Sequence, residues 1–119
     1  QTLMPAAIEQ MGVNVTCNLE HALRDADVVM GLRIQRERLQ GVFLSTLREY
    51  HRYFGIHEDS IRLCEKDVLI MHPGPVNRGV ELSSAVMDAD NSVINEQVTN
   101  GVAVRMALLY LLTRKDDNR

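Results

Sequence analysis

Residues 68–79 read VLIMHPGPVNRG. Four apolar residues run straight into a turn in which Pro73 and Pro75 bracket Gly74, with Asn77 and Arg78 just beyond. The run over 67–71 has the length and composition of a buried strand. Each proline fixes φ and removes a backbone donor, and a residue preceding proline is pushed towards extended geometry. His72 and Gly74 therefore stand outside any helix, and the turn is stiff backbone whose free groups are carbonyl oxygens. Two readings follow. The turn is a rigid exit from the core, or it is an acceptor for an NH2-bearing ligand that Gly74 allows to come close.

Outward from this stretch, the pattern predicts strands alternating with helices. A short helix over 5–11 starts at Pro5 and ends at Gly12. The β-branched run VNVTC predicts a strand over 13–17. A helix over 19–26 has Asn18 as its N-cap, and an apolar strand follows over 28–32. A helix over 45–54 is stopped by Gly55, and Asp59 or Ser60 caps another that runs to Cys64. After the central turn come a short helix near 83–87 and a long one over 95–114. In the last, Val98, Val102, Met106, Leu109 and Leu112 recur at helical steps, with a basic end suited to the helix dipole. Alternation of this kind implies an α/β fold with a parallel sheet, in which ligands bind outside the carboxyl ends of the strands.

The 119 residues fit one domain or a large piece of one, and a hydrophobic content of 45% supports a core. Charged residues of both signs make up 24%, the net charge is −3 and aromatics are few, so neither disorder nor nucleic-acid binding is indicated. Cys17 and Cys64 lack CxxC spacing and histidines at ligand offsets, which gives a metal site no support and suits a reducing cytoplasm. No apolar run reaches the roughly 20 residues of a membrane helix. The chain opens QTLMPAA, without an initiator methionine, and enters a helical pattern almost at once. A fragment with its upstream part missing is expected.

Two strand ends carry unusual polar sequence, GLRIQRER at 31–38 and HPGPVNRG at 72–79. Arg33 and Gln35 are one residue apart, so on extended backbone both face one side. An arginine fork with a neighbouring amide suits a small dicarboxylate or amino acid, and Glu37 is placed to orient the guanidinium. The same residues also read as a solvated charge run. His72 reads as a structural hydrogen-bonder, and Arg78 either reaches an anion or pairs with Glu81. Ser83 and Ser84 have no general base at a recognisable spacing, and no glycine-rich phosphate loop is present. From the residues alone, a small-anion site at strand ends is as sharp as the reading becomes.

Taken together, LRIQRER, then DVLIMHPGPVNRGVEL, then QVTNGVAVRMALLYLL resemble the aspartate carbamoyltransferase family over nearly the whole chain. Ornithine carbamoyltransferases share the fold but resemble HCLP at the turn. The resemblance implies a truncated Rossmann-like, doubly wound parallel sheet with flanking helices and a long C-terminal helix. Residues 1–94 would be a partial aspartate-binding domain lacking its first strand, and 95–119 a helix crossing back to an absent carbamoyl-phosphate domain. It implies transfer of a carbamoyl group from carbamoyl phosphate to L-aspartate in pyrimidine biosynthesis, with no cofactor and no metal. Arg33 and Gln35 would hold the aspartate carboxylates, Glu37 would orient Arg33, and Arg38 would tie two domains together. Gly74 and Pro75 would offer carbonyls to the carbamoyl NH2, and Gly74, standing where some relatives have a bulkier residue, would be tolerated because the contact is main-chain.

No catalytic residue is expected in this portion, because the family's phosphate loop and its histidine lie upstream. The expected assembly is a cytoplasmic homotrimer of the full-length chain, with regulatory or dihydroorotase chains as possible further partners and neither nucleic acid nor membrane. A carbamoyltransferase with a different amine acceptor, or a non-catalytic binding domain of the same fold, are the alternatives.

Overall fold

The computed structural model describes residue 5 and residues 7–34 and 46–114. Two strands, β1 (Val28–Met30) and β2 (Leu69–Met71), pair in parallel with Val29 opposite Ile70. The ladder is lengthened at both ends, where Leu69 N donates to Asp27 O and Gly31 N to Met71 O, each at 2.9 Å. The far edge of β2 is also satisfied. Ile70 N donates to Asn91 O at 3.0 Å and Val93 N donates to Ile70 O at 2.9 Å, so residue 92 runs beside it as a parallel bridge. A second small parallel contact joins Ile56 to Leu82.

Around these strands lie α1 (Leu19–Leu23), α2 (Leu47–Phe54), α3 (Glu58–Ile61), α4 (Ser84–Met87) and α5 (Ile94–Thr113). The core gathers Leu23, Val29, Ile56, Val68, Ile70, Leu82, Val86 and Ile94. Ile70 and Leu82 are fully buried, and each such side chain contributes about 1.5–3 kcal/mol through removal from water. Alternation sends Val28, Met30 and Leu69 to the other face, where they remain 49%, 51% and 42% exposed.

Local chemistry explains where the elements stop. Asn18 caps α1 through its side chain, which accepts from His21 N at 2.9 Å. The helix ends earlier than expected, at Leu23, because Asp25 turns to φ 58° and gives its N–H to Leu63 O. The first expected helix is a 3-10 turn, Ile8–Met11, closed by Gly12 at φ 79°. The strand expected over 13–17 is not formed: Val13 and Val15 are exposed and no neighbouring strand among the described residues pairs with them. Cys17, beside them, is exposed as well.

Thr46 caps α2 by accepting from Glu49 N at 3.1 Å. Gly55 ends it because a Cβ there would run into the His51 carbonyl. The cap of α3 is His57, whose N–H goes to Ser60 Oγ at 2.9 Å, not Asp59 or Ser60.

The last helix stands apart. Ile94 is its one buried residue, and its apolar side chains from Val98 to Leu112 are 41% to 81% exposed. No described helix is long and apolar enough to cross a membrane.

Candidate functional site

The two unusual strand ends meet because β1 and β2 are parallel neighbours, so both chains leave the sheet at the same edge. What binds them together is Glu81. Its carboxylate is 3% exposed, and both oxygens act as acceptors. Oε1 accepts from Ile34 N at 2.9 Å and from Asn77 Nδ2 at 2.7 Å, while Oε2 accepts from Asn77 N at 2.9 Å. One side chain thus holds the backbone after β1 against the backbone after β2; Arg33, next to Ile34 on the first of these, is half-buried. The charge is felt nearby: the Tyr50 hydroxyl is pushed up first by burial and then by Glu81.

The turn itself is braced from below. His72 is fully buried; its N–H donates to Gln97 Oε1 of α5 at 2.8 Å, and its Nδ1 accepts from Gly74 N at 2.9 Å. Burial holds the imidazole below the ordinary histidine range, with the Glu81 charge opposing that shift. The sequence reading of His72 as a hydrogen-bonder in the structure is met.

The shift has a consequence for stability. A histidine harder to protonate when folded contributes stability that is fully present above pH 6.5 and is lost as pH falls through its depressed value. Urea unfolding at a series of pH values should therefore show a fall below pH 6.5 that is smaller in His72→Asn. Equal falls in the two proteins would exclude His72 as the source. Glu81 is the charged group acting on the ring, while Gln97, Gly31 and Leu82 around it are neutral.

Gly74 sits at φ 71°, and the Gly74–Pro75 peptide is cis. That φ is left-handed, not the extended geometry anticipated before proline. A Cβ added at Gly74 would also stand 3.3 Å from Val98 Cγ2. Glycine therefore suits this backbone, and a side chain here would be strained. Gly74→Ala is expected to destabilise by about 1–2 kcal/mol, read as a lower urea midpoint at unchanged m.

No described hydrogen bond ends on the Gly74 or Pro75 carbonyl. Arg78 neither reaches for an anion nor pairs with Glu81. It forms a two-pronged bond to Asp88 at 2.7 and 2.9 Å, and that bond holds the Asp88 carboxyl below its usual range. Gln35, Glu37 and Arg38 lie outside the described residues. Sequence reasoning missed Glu81 as the link and Gln97 as the brace; an acidic residue set in VEL, next to core Leu82, was the one available signal.

Residues 4–112 match the family model for the aspartate/ornithine carbamoyltransferase, Asp/Orn binding domain. The chain belongs to this family. It is 62% identical over 115 residues to the aspartate carbamoyltransferase catalytic subunit of Acetivibrio thermocellus, covering 97% of this chain and 37% of that protein. The corresponding subunit of Ruminiclostridium cellulolyticum is 60% identical over 96% of this chain and 36% of its own length. The chain thus spans little more than a third of the carbamoyltransferases it matches.

Among solved structures, an ornithine carbamoyltransferase from Thermus thermophilus superposes with a TM-score of 0.75 at 16% identity, over 93% of this chain and 36% of that one. This likeness is one of fold alone: a Rossmann-like α/β sheet with helices. An aspartate transcarbamoylase from Trypanosoma cruzi, solved with carbamoyl aspartate and phosphate, superposes with a TM-score of 0.66 at 27% identity, over 87% of this chain and 32% of that one.

Proposed function

We propose that this chain is the aspartate-binding portion of an aspartate carbamoyltransferase, which converts carbamoyl phosphate and L-aspartate to N-carbamoyl-L-aspartate and phosphate in pyrimidine synthesis. The observation that carries the reading is the Glu81 bridge, which brings an arginine-bearing loop and a carbonyl-bearing turn to one sheet edge. The names of the similar catalytic subunits support it.

In this reading Arg33 and Gln35 hold the aspartate carboxylates through charge-assisted and amide hydrogen bonds. Glu37 orients the Arg33 guanidinium, and Arg38 joins two domains on closure. The Gly74 and Pro75 carbonyls accept from the carbamoyl NH2. The aspartate amine attacks the carbamoyl carbon, a C–N bond forms, the C–O bond to phosphate breaks and the amine loses a proton. Holding both reactants in line supplies much of the rate enhancement.

Residues 1–94 are a partial aspartate-binding domain lacking its first strand, and 95–119 cross back to a carbamoyl-phosphate domain in the longer protein. Such a partner would cover the apolar surface of α5, which is exposed from Val98 to Leu112. A homotrimer, and a cytoplasmic location where the free thiols of Cys17 and Cys64 stay reduced, complete the reading.

The test is a chimera in which this chain replaces the matching 115 residues of the Acetivibrio thermocellus subunit. It should carbamoylate aspartate and leave ornithine untouched, whereas the 119-residue chain alone should turn over neither. Preference for ornithine would move the chain to the other branch of its family. A folded chimera with no activity would leave a binding domain.

A further inference from the structure

Histidine is a costly filler for a closed site beside β2. Because Nδ1 accepts from Gly74 N, the neutral ring carries its proton on Nε2, and Nε2 is buried with no partner among the described residues. The ring edge packs against backbone: a Cβ on Gly31 would stand 3.1 Å from His72 Cδ2, with Leu82 behind it. An apolar side chain would fill this space without stranding a donor. What histidine supplies here, and an apolar side chain could not, is an acceptor facing the turn.

We propose that His72 is a positioning residue for the carbamoyl-phosphate side of the site, fixing through Nδ1 the Pro73–Gly74 peptide plane that leads directly into Gly74 and Pro75, the two residues that present their carbonyls. The inference rests on the function proposed above and extends it to a residue that touches neither substrate. Pro73 has its φ set by its ring, so the one remaining freedom of the Pro73–Gly74 unit is the rotation that the Gly74 N–H bond arrests. The other side of the residue is anchored too, since the His72 N–H is held by Gln97 of α5. The bond requires the bare nitrogen: a proton on Nδ1 would set two donors against each other.

Two substitutions in the chimera separate positioning from packing. His72→Asn places an amide oxygen close to where Nδ1 stands and discards Nε2, whereas His72→Gln reaches towards Nε2 and leaves the Nδ1 place empty. His72→Gln should raise KM for carbamoyl phosphate about tenfold and change KM for aspartate less than about twofold; His72→Asn should recover to within about threefold of the parent. Equal impairment by both, or parental KM in both, would overturn the proposal. Ring 15N shifts of histidine-labelled protein add a readout free of turnover: Nδ1 bare and Nε2 protonated is expected, and the reverse tautomer defeats the inference. If the parent chimera is folded and inactive, the function reading fails by itself, and the ring shifts still decide the His72–Gly74 bond.

Discussion

Alanine at position 81 is expected to lower the stability of the chain by about 3–5 kcal/mol, because three donors lose a charged acceptor together. Ile34 N, Asn77 N and Asn77 Nδ2 all converge on this carboxylate at 2.7–2.9 Å. None is replaced by solvent at full value, since each bond is partly buried. Glu81→Gln keeps the shape but turns an NH2 group towards a donor; its cost should be about half as large. Asp88→Ala is the control: it also breaks a two-pronged bond, but that pair with Arg78 is in solvent and should matter little. Urea midpoints measure all three. Comparable losses for Glu81→Ala and Asp88→Ala would mean that Glu81 does not join the loops.

The second large effect concerns Arg33. In the chimera, Arg33→Ala should cut kcat/KM for aspartate by about 100-fold or more, since a guanidinium–carboxylate fork at a half-dry site is among the stronger single contacts. Arg33→Lys keeps the charge and loses the planar fork, so about tenfold is expected there. Carbamoyl-phosphate affinity should stay near the parent in both. A loss shared equally between the substrates would mark Arg33 as a scaffold residue, and unchanged kinetics would remove it from the site.

Much of the fold is legible along the chain because its punctuation is local. Asn18 needs only the N–H three residues on, Gly55 only the carbonyl of His51, and the long helix only its repeating apolar residues. The α5 bounds, Ile94–Thr113, differ from the expected 95–114 by one residue at each end. The failures share one cause. VNVTC has strand composition, but a strand is made by a neighbour, and no described neighbour is there. Residue 92 lacks a strand's composition, yet it bridges β2 because its backbone lies within reach of Ile70.

The site divides along the same line. By itself the sequence determined which groups are present at each strand end: a guanidinium after β1, and proline-stiffened carbonyls after β2. Those properties belong to single residues and their chain neighbours, so no fold is needed to read them. Only the tertiary structure decided that the two ends touch, and through what. Glu81 and Ile34 are separated by 47 positions, as His72 and Gln97 are by 25, and no local pattern ties such pairs together. Arg78 made the opposite case, since Asp88 and Glu81 were both within reach along the chain. Burial decided between them: the carboxylate in the core was taken by backbone and amide N–H groups that need an acceptor there, and the one in water was left to the arginine.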